Sequence, residues 1–178
     1  MRITGGRLKG RRIAVPGGGD VRPSTDKLRE AVFSIIGDDI LGAKIADLFC
    51  GSGALGIEAL SRGADYALFV DSSRRNISNL RKNLEKLGIM ENSDLKVMDA
   101  LKIRPKRMKN YSIVFADPPY NRGLGERLIS LFCLPKFEWY GILVLEHESD
   151  WIYKGQEMEI LNRKAYGDMA VSFLRKNR

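Results

Sequence analysis

A glycine-rich turn lies near residue 50, between a short apolar run and a stretch with helical spacing. The run at 45–49 leads into Gly51-Ser52-Gly53-Ala54-Leu55-Gly56, which has the pattern Gly-x-Gly-x-x-Gly. In a strand–turn–helix unit, the first two glycines allow a tight turn close to a ligand, and the third lets the helix pack near the sheet. The pattern alone is weak, but this context predicts a nucleotide-type ligand at the turn.

Short apolar runs and helical stretches alternate along the chain after this turn. The predicted strands are 45–49, 66–70, 94–98, 112–116 and 141–146, and the predicted helices are 54–62, 73–87 and 123–133. Such alternation with short connections predicts an α/β fold with a mostly parallel sheet covered on both faces. Two further β-type runs, 157–161 and 169–174, predict a C-terminal antiparallel hairpin that closes the sheet.

The N-terminal region differs from the rest of the chain. Residues 2–15 have short β-type runs around glycines and predict a strand pair or arm. A start signal at Ser24-Thr25 predicts a helix that ends near Gly37. We therefore distinguish a basic arm and helix at 1–37 from the main α/β part at 38–178, and expect the 178 residues to form one compact domain.

Positive charge is concentrated at both ends of the chain. Residues 1–30 hold eight Lys or Arg and three Asp or Glu, residues 162–178 hold five and one, and the remainder holds seventeen and eighteen, for a net charge of +8. A basic protein of this kind most often binds a polyanion.

Two cysteines and one histidine, His147, are too few for a disulfide framework or a metal site. Because the N-terminus lacks the apolar stretch of a signal peptide and no apolar run is long enough to span a bilayer, we expect a cytoplasmic protein that needs neither membrane nor metal.

Acidic residues end three successive predicted strands. Asp47 leads into the glycine turn, Asp71 ends the second strand and Asp99 ends the third. A carboxylate beside the turn would repel a pyrophosphate, so Asp47 favours a cationic ligand such as S-adenosylmethionine. Asp71 is placed to bind ribose hydroxyls, which is also consistent with NAD, and Asp99 can accept a hydrogen bond from an adenine amino group.

The fourth predicted strand ends in Asp117-Pro118-Pro119-Tyr120. If the strand order reverses between the first and fourth strands, this turn and the glycine turn flank one crevice. An exocyclic amine of a nucleobase is a poor nucleophile because its lone pair is delocalised into the ring. The Asp117 carboxylate and the Pro118 carbonyl can accept its two N–H bonds while Tyr120 stacks on the base, so these residues predict a methyl-transfer site for such an amine.

Several segments resemble the RsmD family of 16S ribosomal RNA guanine-N2 methyltransferases. They are RITGG at 2–6, RPSTDKLREAVF at 22–33, DLFCGSGALGIEALSRGA at 47–64, the Asp-Pro-Pro-Tyr turn and Tyr166-Gly167-Asp168, so the resemblance covers nearly the whole chain. Two positions depart from the family pattern: Cys50, where alanine is common, and Asp71, where glutamate is frequent. Cys50 still supplies a small side chain, and Asp71 still supplies a carboxylate.

The resemblance implies a Rossmann-like methyltransferase fold with a seven-stranded sheet, S-adenosylmethionine as methyl donor, and N2 of one guanine in 16S rRNA as acceptor. The implied partner is 16S rRNA in an assembling or assembled 30S subunit, and we expect a monomer. The candidate catalytic residues are Asp117, Pro118, Pro119 and Tyr120. The candidate cofactor residues are Asp47, Phe49, Cys50, Gly51, Ser52, Gly53, Gly56, Asp71, Asp99 and Ala100. The candidate RNA-binding residues are Arg2, Arg7, Lys9, Arg11, Arg12, Arg22 and Arg122.

Other functions stay open at this point. An Asp-Pro-Pro-Tyr turn also suits adenine N6 in DNA or RNA and the amide nitrogen of a protein glutamine. A non-catalytic RNA-binding assembly factor and a nicotinamide-dependent oxidoreductase are further alternatives, although intact acids and glycines count against a degenerate pocket. Within the glycine turn, Cys50 is interpreted as a small buried residue and not as a nucleophile. The charged face of helix 73–87 is interpreted as solvated surface.

Overall fold

A seven-stranded sheet with the strand order β3-β2-β1-β4-β5-β7-β6 forms the centre of the computed structural model, which describes residues 1–15, 24–119 and 122–177. The strands are β1 Lys44–Leu48, β2 Tyr66–Asp71, β3 Ser93–Val97, β4 Ile113–Ala116, β5 Ile142–Glu148, β6 Met158–Tyr166 and β7 Met169–Lys176. The α-helices are α1 Ser24–Ile36, α2 Ala54–Ser61, α3 Arg74–Leu87, α4 Pro105–Met108 and α5 Leu124–Cys133, with short 3-10 turns at Gly37–Ile40, Met90–Asn92 and Ala100–Lys102.

Strands β1 to β5 are all parallel, and β7 pairs antiparallel with both β5 and β6. The predicted mostly parallel sheet with a C-terminal antiparallel hairpin is therefore confirmed. Strand β1 lies between β2 and β4. The chain therefore adds β2 and β3 on one side of β1, and then crosses to add β4 and β5 on the other side. This reversal opens a crevice at the carboxyl ends of β1 and β4, where open α/β sheets bind their ligands.

Two apolar layers cover the faces of the sheet. One contains the buried side chains of α1, α2 and α3, and the other contains those of α5 and the segment 100–108. Helix α3 shows why the sequence pattern was informative, since Ile77, Leu80, Leu84 and Leu87 are buried as their spacing predicts. The helix ends at Gly88, whose φ of 70° is the left-handed conformation that glycine adopts without strain.

Strand β6 is longer than its sequence predicts. The prediction ends at residue 161, whereas the strand extends to Tyr166. Apolar periodicity could not reveal the extra residues, because β6 is the edge strand of the sheet and only Met158 of its nine residues is buried. Polar residues such as Asn162 and Arg163 continue the strand through hydrogen bonds to β7 alone.

The N-terminal arm is built into the main fold. Ile3, Leu8 and Ile13 are buried in the same apolar layer as α1, α2 and α3, and residues 2 and 12 form an antiparallel bridge. Backbone groups of the arm also bond to the end of α2, where Arg7 N donates to Ser61 O at 2.8 Å. The arm therefore has a fixed position relative to the helix that starts at the glycine turn.

A buried carboxylate joins the arm to two helices. Glu58 of α2 is 1% exposed, and it accepts hydrogen bonds from Thr4 N at 2.9 Å and Thr4 Oγ1 at 2.8 Å. It also forms ion pairs with Arg62 at 2.9 Å and with the buried Arg29 of α1 at 3.6 Å. Burying a carboxylate is tolerated here because several donors and two cations compensate for the lost hydration.

Across the described ranges, no helix is long and apolar enough to cross a membrane. Nor does the described part of the chain contain a group of three or more His, Cys, Asp or Glu side chains that could hold a metal ion.

Candidate active site

The glycine turn adopts a strained conformation at the carboxyl end of β1. Gly51 and Gly53 have φ of 52° and 77°, and Gly53 is the residue before α2. Phe49 has φ of 60°, and no other non-glycine residue among those described has a positive φ. Strain of this kind persists where the surrounding structure enforces it, and it concentrates at ligand sites.

The three glycines of the turn serve different purposes. A Cβ on Gly53 would lie 2.4 Å from Leu80 Cδ1, and one on Gly56 would lie 2.2 Å from Phe69 Cε1, so both positions need glycine for packing. A Cβ on Gly51 would meet no atom within 4 Å. Gly51 therefore borders open space, and its side of the turn is the one that leaves room for a ligand.

Asp71 holds the glycine turn against the end of β2. Its carboxylate accepts hydrogen bonds from Gly51 N at 2.8 Å, Ser73 N at 2.7 Å and Asn76 Nδ2 at 3.2 Å. Two of these donors lie at the start of α3, for which Ser73 is the capping residue. Asp71 thus orients the turn and the first residues of α3 together, at the strand end where the sequence predicts ribose binding.

Asp47 lies beneath the turn and not in open space. It is 2% exposed and accepts a hydrogen bond from Gly56 N at 2.9 Å. Burial raises the pKa of Asp47 well above its usual value, and the nearby charges of Asp117 and Asp71 raise it further, while the bond from Gly56 opposes them. The sequence places Asp47 at the right edge, but its carboxylate contacts the turn that would hold the ligand.

Cys50 fits the interpretation made from its position in the sequence. The side chain is buried, and burial raises the pKa of the Cys50 thiol, with a further rise from Asp47 and Asp71. A thiol that stays protonated at neutral pH is a poor nucleophile. Cys50 is therefore a small packing residue of the turn.

Asp99 and Ala100 follow β3 at the same edge of the sheet. Asp99 is exposed, and its Oδ1 accepts a hydrogen bond from Leu101 N at 3.0 Å, while Ala100 is buried. The pairing of Asp71 with Val97 puts both residues just beyond the end of β2. Asp99 is therefore within the row of strand-end acids that the sequence predicts.

The turn after β4 lies beside the glycine turn. Leu48 of β1 pairs with Ala116 of β4, so Asp117 leaves the sheet next to Phe49. Pro118 is buried and Pro119 is exposed, while Tyr120 lies outside the described residues. Asp117 is itself exposed at the rim of the crevice, but surrounding protein displaces water from its carboxylate and raises the pKa of Asp117 to about 6.

The charges at this edge suit a cationic cofactor. All charged groups that shift the pKa of Asp47 are carboxylates, those of Asp117 and Asp71. A pyrophosphate would be repelled there, whereas an ammonium or sulfonium group would be attracted. The open space over Gly51 and this negative potential together fit S-adenosylmethionine.

A cavity of about 430 Å³ continues from the prolines of the acceptor turn. Its walls include Pro118, Pro119, Leu145, His147 and Trp151. The cavity is large enough for a nucleobase and begins where the Asp117 turn leaves the sheet. Sequence reasoning did not identify this cavity, because its far wall comes from a loop after β5 that has no periodic pattern.

His147 fixes one wall of this cavity. Its Nδ1 lies 2.7 Å from Glu148 O and its Nε2 lies 2.8 Å from Ser172 Oγ of β7, and its ring centroid is 4.4 Å from that of Trp151. Burial lowers the pKa of His147, so the ring is neutral at physiological pH. The available signal in the sequence was an aromatic residue, Trp151, shortly after a strand that ends at the ligand-binding edge.

The predicted RNA-binding cations are solvent-exposed wherever the structure describes them. This set contains Arg2, Arg7, Lys9, Arg11, Arg12 and Arg122, whereas Arg22 lies outside the described residues. Arg127, which the sequence places near Arg122, is also exposed, on α5. Arg122 follows the acceptor turn closely in the chain, Arg127 lies on α5, and the other five cations lie on the arm.

Comparison with known proteins gives consistent matches over most of the chain. Residues 1–175 match the family model described as conserved hypothetical protein 95. The chain is 36% identical over 154 residues to "Putative rRNA methyltransferase YlbH" of Bacillus subtilis, covering 84% of each protein. It is 40% identical over 131 residues to ribosomal RNA small subunit methyltransferase D of Escherichia coli, covering 74% of this chain and 66% of that one. The solved structure titled "Putative methyltransferase yhhF from Escherichia coli" superposes with a TM-score of 0.83 at 32% identity, over 99% of this chain and 98% of the other.

Proposed function

Because this chain belongs to the RsmD family of methyltransferases, we propose that it transfers a methyl group from S-adenosyl-L-methionine to the exocyclic N2 of a guanine in small-subunit rRNA. The observation that carries the proposal is the position of Asp117 and Pro118, beside the glycine turn at the reversal of strand order. Two hydrogen-bond acceptors at this position can hold the two N–H groups of an amine next to the methyl donor.

The cofactor-binding residues are the glycine turn and the strand-end acids. Gly51 leaves space for the cofactor, Asp71 orients the turn beneath it, and Asp99 lies farther along the same edge. When bound, S-adenosyl-L-methionine supplies an electrophilic methyl group on its sulfonium. Asp71 and Asp117, whose charges act on the buried Asp47, contribute negative potential toward the cationic groups of the cofactor.

The acceptor turn orients the amine and stabilises the charge that develops on it. The Asp117 carboxylate and the Pro118 carbonyl accept the two N–H bonds, which holds the nitrogen lone pair toward the methyl donor. Positive charge would grow on the nitrogen as its bond to the methyl carbon forms and the methyl–sulfur bond breaks, and the same acceptors would stabilise that charge. One N–H proton would then leave through the hydrogen bond to the Asp117 carboxylate. Asp117 must be ionised for this, and the ring of Tyr120 supports the base by stacking.

The cavity beyond Pro119 receives the target base. Enzymes that modify a base take it out of its stack into a pocket, and single-stranded RNA loops present unstacked bases most readily. Trp151, whose ring is packed against His147, forms an aromatic side of this pocket. An rRNA substrate also supports a cytoplasmic location.

Transfer of labelled methyl groups from S-adenosyl-L-methionine tests the proposal with three acceptors offered separately: small ribosomal subunits, naked small-subunit rRNA, and double-stranded DNA. We expect label in an RNA acceptor and none in DNA. Label in DNA alone would overturn the proposed function.

A further inference from the structure

Helix α3 carries a row of cations that the charged termini do not explain. Its exposed cations are Arg74, Arg75, Arg81, Lys82 and Lys86, and its only acidic residue is Glu85. The sequence alone does not distinguish such a face from ordinary solvated surface. The structure shows which element lies next to this face of α3.

The end of the N-terminal arm is bonded to α3. Asn83, which is 4% exposed, donates to Ala14 O at 2.9 Å and accepts from Ala14 N at 2.9 Å. Asn79, one turn earlier, also donates to Ala14 O at 2.9 Å. Three hydrogen bonds thus fix the arm along one flank of α3, so the two elements present a shared surface.

Helical geometry divides the cations of α3 into two groups. Residues 75, 79, 82 and 86 are spaced four, three and four apart, so Arg75, Lys82 and Lys86 share a stripe with the arm-binding Asn79. Arg74 and Arg81 lie roughly 140° and 160° around the helix from Asn79, on the other side. Only the first group is next to the arm.

Neither the arm nor this stripe pairs with an acidic side chain among the described residues, whereas some exposed cations elsewhere do. Residues 1–15 contain no Asp or Glu, and none of the cations of the arm or α3 forms an ion pair with a described residue. By contrast, Lys109 pairs with Glu138 at 3.5 Å and Arg175 pairs with Glu159 at 3.1 Å. The combined surface therefore has a strong positive potential.

The backbone of the arm places two of these cations opposite each other. Arg2 and Arg12 form the antiparallel bridge, and like charges directly opposite on paired segments destabilise the pairing. An anion between or above them removes this cost. The same reasoning applies to Lys82 and Lys86, which are one helical turn apart.

The stripe also begins at the edge of the sheet that binds the cofactor. Asp71 holds both the glycine turn and Ser73, which caps α3, so Arg75 in the first turn lies near this edge. From Arg75 to Lys86 the stripe extends about 16 Å along the helix axis. A polyanion bound on the arm can thus continue along α3 toward the active site.

We propose that Arg75, Lys82 and Lys86 of α3 extend the arm into one binding surface for the RNA backbone. This inference rests on the proposed function, since RNA is the polyanion that the active site would serve. The phosphates contact the cations on the arm side of α3, while Arg74 and Arg81 on the far side stay in solvent.

Two double variants of α3 test the inference, each with two positive charges removed from the same helix. Arg75→Gln with Lys82→Gln removes the arm-side cations, and Arg74→Gln with Arg81→Gln is the matched control. An Arg2→Gln with Arg12→Gln variant of the arm serves as the reference. Binding of a small-subunit rRNA transcript is measured across a series of salt concentrations, together with the affinity for S-adenosyl-L-methionine and the thermal midpoint of each variant.

We expect the arm-side variant to bind the transcript at least about fivefold more weakly, with a salt slope smaller by about 1 to 2, as the arm variant does. The control variant should keep the wild-type slope, and cofactor affinity should stay unchanged throughout. Equal slopes for the two α3 variants would overturn the inference. Failure of the proposed function would show separately, as absence of methyl transfer to rRNA by the wild-type protein.

Discussion

The carboxylate of Asp117 has the most demanding role proposed for any side chain of this protein. Asp117→Asn keeps the size of the side chain but removes the charge and replaces one acceptor oxygen with a donor. We expect turnover to fall about 10²- to 10³-fold, because stabilisation of the developing charge is lost, while cofactor affinity measured by calorimetry falls far less than turnover. Turnover within a few-fold of wild type would refute the role of Asp117.

The same carboxylate determines how activity depends on pH. The surrounding protein displaces water from the Asp117 carboxylate and raises its pKa to about 6, and its ionised form is the one that accepts the N–H bond and stabilises the developing charge. At subsaturating RNA, the rate should therefore rise with pH below about 6 and level off above it. The neighbouring acids, Asp47 and Asp71, belong to the same cluster, so the matched Asp117→Asn variant identifies the group: its residual rate should show no inflection in this range. An unchanged inflection in that variant would assign the titration to another group.

Gly51 and Gly53 should respond differently to alanine. Both have positive φ, which costs an alanine about 1 to 2 kcal/mol, but only at Gly53 would the new Cβ collide with the buried Leu80. Gly53→Ala should thus lower the free energy of unfolding by about 3 kcal/mol, measured in denaturant, and Gly51→Ala by less. Gly51→Ala should instead weaken cofactor binding, because its Cβ enters the open space over the turn. An equal loss of stability in both variants would contradict the division of roles.

Glu58 connects three elements, the arm, α1 and α2. Glu58→Gln keeps the shape of the side chain but removes the charge that pairs with Arg62 and with the buried Arg29, which then keeps only Asp26. It also weakens the bonds to Thr4. Removing one partner of a buried pair usually costs about 3 to 5 kcal/mol, so we expect a loss of this size in the free energy of unfolding.

A matched control is Glu159→Gln on β6, which removes an exposed ion pair with Arg175. That change should cost about 0 to 1 kcal/mol. A loss below about 1 kcal/mol for Glu58→Gln would contradict the role of Glu58 as the buried link between the arm and the two helices.

The arm also determines which experiments are informative. Ile3, Leu8 and Ile13 are core residues, so deleting residues 1–15 would remove apolar burial together with charge. Substituting the exposed arginines and leaving the backbone intact separates the two effects. Charge removal should then change RNA binding without unfolding the protein.

Across the whole molecule, local patterns predicted the elements and distant contacts completed the site. The alternation of strands and helices, the acids at strand ends and the Asp117 turn could all be recognised along the chain, because each is a property of adjacent residues. The position of Asp47 under the turn, the strained Phe49, and the wall formed by His147 and Trp151 could not. His147 is held by Ser172, 25 residues away, and Glu58 binds Thr4 from 54 residues away.

Charge shows the same contrast between sequence and fold. Counting Lys and Arg indicated that both termini are basic. The fold joins the arm, at Ala14, to one side of α3 through Asn79 and Asn83, which no local pattern indicates. Cations far apart in the sequence thus form one surface next to the cofactor edge.

The most direct test of the central claim is the identity of the methylated nucleoside. Small-subunit rRNA, naked and within subunits, is incubated with the wild-type protein and labelled S-adenosyl-L-methionine, digested to nucleosides and resolved by mass spectrometry, with Asp117→Asn as the control. We predict label in N2-methylguanosine, and its loss in the control. Label in N6-methyladenosine, or no label in either form of the rRNA, would contradict the account.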